Sequence, residues 1–126
     1  MRLEADIVAG VIERVERGEA VLVASAAHEI ETQRNPYPRR RAHAEAVLAL
    51  ARVHADITEA VAARAASYET GGLRRLDALH LACAVEAASD LFCTTDDRLL
   101  RRAAALNTGA TRVVAPFALV DLLSAP

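Results

Sequence analysis

The residues of this chain best suited to chemistry are acids at the starts of helical patterns. "LDALHLACAV", residues 76–85, carries Asp77 one position into a rich apolar helix pattern. "FCTTDDRLL", residues 92–100, reads as a strand that runs into Asp96 and Asp97. Glu29 and Glu31 follow a third apolar run, "AVLVAS", residues 20–25. Hard cations such as Mg2+ and Mn2+ prefer carboxylate oxygens and water. An ion held by several acids lowers the pKa of a bound water and stabilises the charge that develops in phosphodiester hydrolysis. Crowded carboxylates repel one another without a cation, so a converging cluster points to a metal. Each acid also has a plain structural role open to it. Asp77, Asp96 and Asp97 occupy positions where a capping or first-turn acid is favoured by the helix dipole. Glu29 and Glu31 fit a solvated helix face. Where two acids are adjacent, as at 96 and 97, one can cap while the other binds metal.

His80 lies three residues after Asp77 and shares its helix face. It reads as a core or supporting histidine, not as a catalytic base. His28, His43 and His54 show no ligand spacing. The chain has no Gly-rich phosphate loop, no Ser-His-Asp set and no setting for a cysteine nucleophile.

The elements that must hold these acids alternate between strand and helix. Residues 3–17 carry apolar side chains at helical spacing, with Gly18 as the stop. Residues 20–25 form a short continuous apolar run, read as a buried strand. Ser25 can cap the helix that follows, before "NPYPRRR" breaks the chain. A helix is expected over residues 38–52 and a short strand over 54–57. Thr58 caps an Ala-rich helix that ends at Gly71 and Gly72. The spacing then predicts a helix over 76–88, a strand over 91–95, a helix over 97–106, a strand over 111–115 and a last helical stretch from Pro116 to Leu122. This order implies an α/β domain: a three-layer sandwich with a mostly parallel sheet of about four short strands between helices. In such sheets ligands sit outside the C-terminal ends of the strands, where Ser25 to Glu31 and Asp96 to Asp97 fall.

Bulk properties narrow the field. A chain of 126 residues fits one domain, expected here to span residues 1–126. Apolar residues make up 53% and aromatics 3%, so Ala, Leu and Val must build the interior. The net charge of -2 gives no global positive field for nucleic acid, although arginines cluster locally. Cys83 and Cys93 lie in apolar runs and read as small core residues in a reducing compartment. The charged, amphipathic N-terminus is unlike a signal peptide. No apolar run reaches the ~18 residues of a membrane span. A cytoplasmic protein without a membrane partner is the expectation.

The run "LDALHLACAVEAASDLFCTTDDRLLRRA", residues 76–103, resembles the C-terminal half of a PIN domain, the family that includes VapC-type toxins of toxin–antitoxin systems. It combines the Asp-Ala-Leu-His-Leu-Ala helix, the following strand, the Thr-Thr-Asp element and a basic helix. The upstream helix, strand, Ser and Glu agree more weakly, as do "RVVAP" and the last helix. The resemblance covers residues 3–122. It implies a metal-dependent ribonuclease that uses a metal-bound water, with acids around Mg2+ or Mn2+. The family's acids fall on Asp77, on Asp96 with Asp97 as neighbour, and on Glu29, with Glu31 as the alternative. Thr94 or Thr95 would support the metal site. Arg74, Arg75, Arg98, Arg101 and Arg102 flank the acids and are the candidates for RNA phosphate contact. The resemblance further implies an antitoxin partner and a homodimer.

The sequence departs from that pattern at its start. A PIN domain opens with an apolar strand ending in an Asp, and this strand lies in the middle of the sheet. Here the first helix begins at once, and Asp6 lies inside the helix pattern. The expected domain is N-terminally incomplete: it lacks one acid and has a gap in its core. Losing four or five buried apolar side chains forfeits on the order of 10 kcal/mol. Two functions follow as expectations. One is a PIN-type endoribonuclease acting as a toxin. The other is a catalytically impaired PIN-like RNA-binding or interaction module. A receiver-like signalling domain would need an acid pair after the first strand and a phosphoacceptor Asp after a central one, and neither is evident.

Overall fold

The computed structural model describes the backbone of residues 2–124 and the side chains of residues 9–123. Among the described residues, seven helices and four strands follow one another: α1 (Arg2–Glu16), β1 (Val23–Ser25), α2 (Ala26–Arg34), α3 (Pro38–Leu48), β2 (Val53–Ala55), α4 (Glu59–Thr70), α5 (Arg75–Glu86), β3 (Leu91–Cys93), α6 (Asp97–Ala103), β4 (Arg112–Val114) and α7 (Pro116–Ser124). The order is the one the sequence implies, and the strand pairs are parallel.

Local chemistry sets the boundaries. Gly18 ends α1 with a φ of 77°. Its N–H donates to the Val15 carbonyl, and the Glu19 N–H donates to the Arg14 carbonyl. This is a Schellman turn, which favours glycine at that position. The Ser25 and Thr58 hydroxyls accept the N–H groups of His28 and Val61, capping α2 and α4. Pro38 opens α3, where its missing N–H costs no helical bond.

The core is centred on α5. Ala78, Leu81, Ala82 and Cys83 are fully buried there and meet Val61, Ala65 and Tyr68 of α4. Small residues let the two helices approach closely. Arg64 binds Glu86 at 2.7 Å across the pair, and the Tyr68 hydroxyl donates to the Asn107 carbonyl at 2.6 Å. Of the two cysteines, Cys83 is buried as expected, but Cys93 is exposed. It lies at the end of β3, which has a neighbour on one side only.

The sheet differs from the single one expected. β1 pairs with β2, and β3 pairs with β4, as two separate two-stranded parallel sheets. Each strand is three residues long, shorter than its apolar run. A central strand is what would join the pairs, and none lies between them among the described residues. α3 likewise ends at Leu48, short of Arg52, because the chain turns there into β2.

α5 passes into β3 through a second Schellman turn. The Ala88 and Ser89 N–H groups donate to the Val85 and Ala84 carbonyls. Here the left-handed position is held by Ala88, at a φ of 56°. A Cβ in that conformation costs roughly 1–2 kcal/mol. Ala88→Gly is therefore expected to stabilise the chain by about 1 kcal/mol in urea unfolding, even after the entropy that glycine gains in the unfolded state. Loss of stability would show that the turn is relaxed.

Candidate metal and phosphate site

Three elements bring the predicted acids forward. Asp96 is the N-cap of α6, and its Oδ1 accepts the N–H groups of Arg98 and Leu99 at 2.9 and 3.2 Å. The Thr94 hydroxyl oxygen accepts the Asp96 N–H at 3.1 Å, which fixes the turn between β3 and α6. Of the adjacent pair, Asp96 therefore takes the capping role through one oxygen. Asp97 stands exposed in the first turn of α6, and Thr95 is exposed beside it.

Asp77 lies half-buried in the first turn of α5. Asp77 and Asp96 line one cleft with Gly72, Leu73, Arg74, Arg98, Leu99 and Arg102. Its volume is about 10 Å3, room for about one water-sized particle. Three of the five arginines singled out from the sequence stand around it, and Arg75 and Arg101 lie elsewhere on exposed helix positions. The Arg102 guanidinium packs over Gly72, whose φ of 104° and bare Cα leave the space for it. Two carboxylates and three guanidiniums together suit a cation and an anion side by side, such as a metal ion with a phosphate.

The α2 acids do not join this cleft. Glu29 is exposed in the first turn of α2. Glu31 reaches α5 instead: its Oε2 accepts from His80 Nε2 at 2.6 Å. A carboxylate only accepts, so this nitrogen of His80 carries the proton. No group of three or more His, Cys, Asp or Glu side chains among the described residues is placed to hold a metal ion. The cluster of Glu29, Asp77, Asp96 and Asp97 expected from the sequence is thus not assembled. Asp77 and Asp96 are brought together, while Glu29 and Asp97 are exposed and do not line the cleft. Two carboxylates do fit a hydrated Mg2+, which is commonly held through one or two protein carboxylates together with substrate phosphates.

Sequence reasoning missed His28. It completes a capping box, the motif in which Ser is answered three residues later by a side chain that reaches back. The Ser25 N–H donates to His28 Nδ1 at 3.1 Å. The His28 ring lies 4.5 Å from that of His80. The spacing Ser-x-x-His was the available signal, although Glu or Gln is the usual partner. Burial first, and then the neighbouring His80, push the His28 pKa down to about 4, against a weaker upward pull from Glu31. Protonation of Nδ1 would also break the cap. The unfolded chain takes up this proton near pH 6.5 and the folded one only near 4, so stability falls as pH drops through that window. His28→Gln, which keeps an acceptor, is expected to flatten the slope of unfolding free energy between those pH values. An unchanged slope would place the acid sensitivity elsewhere.

Comparison with known proteins agrees with this geometry at the level of the family. No curated protein and no solved structure matches the chain. The family model described as PIN domain matches residues 2–106, most of the chain and every residue of the cleft. The chain belongs to the PIN domain family, a nuclease-type family that generally depends on divalent metal ions.

Proposed function

We propose that this chain is a metal-dependent endoribonuclease of the PIN type, acting at the cleft between α5 and α6. One observation carries the reading. Asp77 and Asp96, far apart in sequence, line the same water-sized cleft, and Arg74, Arg98 and Arg102 line it with them. Asp77 and Asp96 are the residues that would hold Mg2+ or Mn2+. The ion, when bound, supplies an activated water and offsets charge on the phosphodiester.

The chain's own residues do the rest. Two backbone N–H groups hold Asp96 Oδ1 in place, so its carboxylate needs little reordering to bind. Thr94 holds the Asp96 backbone. Arg74, Arg98 and Arg102 take the RNA phosphate and position it, without reading its sequence. Glu31 reaches α5 through its bond to His80, but neither it nor Glu29 lines the cleft. Asp97, Thr95, Arg75 and Arg101 stand outside it.

The toxin role, an antitoxin partner, a homodimer and a cytoplasmic setting belong to the same proposal. They are supported by the likeness of residues 76–103 to a PIN domain, the family that includes VapC-type toxins. No helix among the described residues is long and apolar enough to cross a membrane. One observation favours a second reading, a catalytically impaired RNA-binding or interaction module: among the described residues, only two acids line the cleft.

Calorimetric titration with Mn2+ and cleavage of a single-stranded RNA separate the two. For the nuclease, binding in the micromolar range is expected, weakened at least about tenfold in the Asp77→Asn, Asp96→Asn double variant, with Mn2+-dependent cleavage lost alongside. RNA binding by a folded chain that takes up no Mn2+ would establish the module and overturn the nuclease.

A further inference from the structure

The stretch "NPYPRRR", residues 35–41, joins α2 to α3, and none of its residues lines the acidic cleft. Every residue from Pro36 to His43 is exposed. Residues 32–44 hold four arginines, Arg34, Arg39, Arg40 and Arg41, and no acid, in a chain whose net charge is -2. Among the described residues, Arg41 alone of the four pairs with an acid, Glu45 at 4.0 Å, and both side chains remain well exposed. Arg34 stands in the last turn of α2, where the helix dipole favours a cation. Arg39, Arg40 and Arg41 stand at the start of α3, where the dipole disfavours one, and the first turn holds no acid to offset them. α3 has no fully buried residue. These three charges therefore do nothing for the fold.

An aromatic ring stands beside them. Tyr37 is 59% exposed, and its hydroxyl does not cap α3. Pro38 holds Tyr37 in an extended conformation, and Pro36 fixes the chain just before it. The Tyr37 N–H donates to Asn35 Oδ1 at 3.0 Å, which closes the turn. The Arg40 guanidinium lies over the ring, 4.9 Å from its centroid. The ring is thus carried on a stiff turn, with cations beside it and much of its surface in water. A stiff turn has little freedom left to lose on binding. Arginines that meet phosphates next to an aromatic ring that stacks a base are the means by which proteins hold single-stranded nucleic acid. An acidic peptide would engage the arginines and leave the ring unused.

We propose that Tyr37, Arg39 and Arg40 form an RNA platform outside the cleft, on which one base of a single-stranded RNA stacks against the tyrosine ring while neighbouring phosphates meet the two arginines. The choice of RNA rests on the nuclease reading above, and the platform itself rests on the exposed ring and the unpaired arginines of α3. The platform gives the chain a second hold on a strand whose phosphate is taken at the cleft. Stacking accepts any base and phosphate contacts carry no sequence information, so this hold adds affinity without sequence preference.

The test follows binding of a fluorescein-labelled oligouridine RNA to the full chain by fluorescence anisotropy, in EDTA, so that neither a metal ion nor cleavage enters. Tyr37→Ala is expected to weaken binding about tenfold, and Tyr37→Phe, which keeps the ring, to bind as the parent chain does. Arg39→Gln with Arg40→Gln is expected to lower the slope of log affinity against log salt by about 1. The three positions are exposed, so circular dichroism should stay unchanged in every variant. Four results would overturn the platform: no RNA binding by the folded chain, unchanged affinity in Tyr37→Ala, an equal loss in Tyr37→Phe, or displacement of the RNA by oligoglutamate as readily as by unlabelled RNA. The nuclease reading is tested apart from it. Ring-dependent binding in EDTA by a chain without Mn2+-dependent cleavage sinks the nuclease and leaves the platform. Mn2+-dependent cleavage beside an unaffected Tyr37→Ala sinks the platform and leaves the nuclease.

Discussion

The burial of α5 is the constraint on which the rest of the structure depends. Its residues Ala78, His80, Leu81, Ala82 and Cys83 are all buried, and it packs against α2, α4, β1 and β2. Burying a side chain such as Leu81 contributes roughly 1.5–3 kcal/mol. That packing leaves the helix little freedom to turn or slide. Asp77 at its first turn is therefore held where the α6 cap can meet it. His80, about one turn further on, is held where Glu31 can bind it. At its far end the left-handed Ala88 sends the chain into β3. One buried helix thus places an acid, a histidine and a strand.

The acidic cleft and a groove of about 560 Å3 lined by β1 and β3 follow from the same packing and share that helix. Asp77 borders the cleft, and His80 and Ala84 border the groove. The groove divides the sheet, yet the helix layers around it are in place. Parallel sheets owe much of their stability to helices that cover both faces, so two short strand pairs can hold their positions without a shared centre. What they give up is hydrogen bonding along the inner edges. The cleft is small because the Arg102 side chain closes over the turn at position 72, which favours glycine.

Much of this was legible in the sequence, for reasons that differ by residue. The caps Ser25 and Thr58, the stop at Gly18 and the alternation of strand and helix depend on neighbours in the chain, and neighbours are what a sequence displays. Asp96 was readable both as a cap and as a site acid, and it is both a cap and a lining residue of the cleft. The contact between Glu31 and His80 joins residues 49 positions apart. No spacing rule reaches that far, so the α2 acid that meets α5 was visible only as the alternative to Glu29. The division of the sheet was not legible from strand patterns, because an apolar run does not say how many neighbours it will find. The gap was foreseeable only from the absence of an opening strand. Cys93 followed the same logic: its apolar run suggested core, and an unpaired edge left it exposed.

On the proposed reading, α5 and the start of α6 present one cation site, in which Asp77 and Asp96 act together. The most direct measurement is Mn2+ relaxation broadening of backbone amide signals in the isotope-labelled chain. Amides around Asp77, Asp96 and Gly72 should broaden together, with one midpoint, and Asp77→Asn alone should remove the effect at all of them. Broadening confined to one of these segments, or centred on exposed Glu29, would show that the two acids do not share an ion.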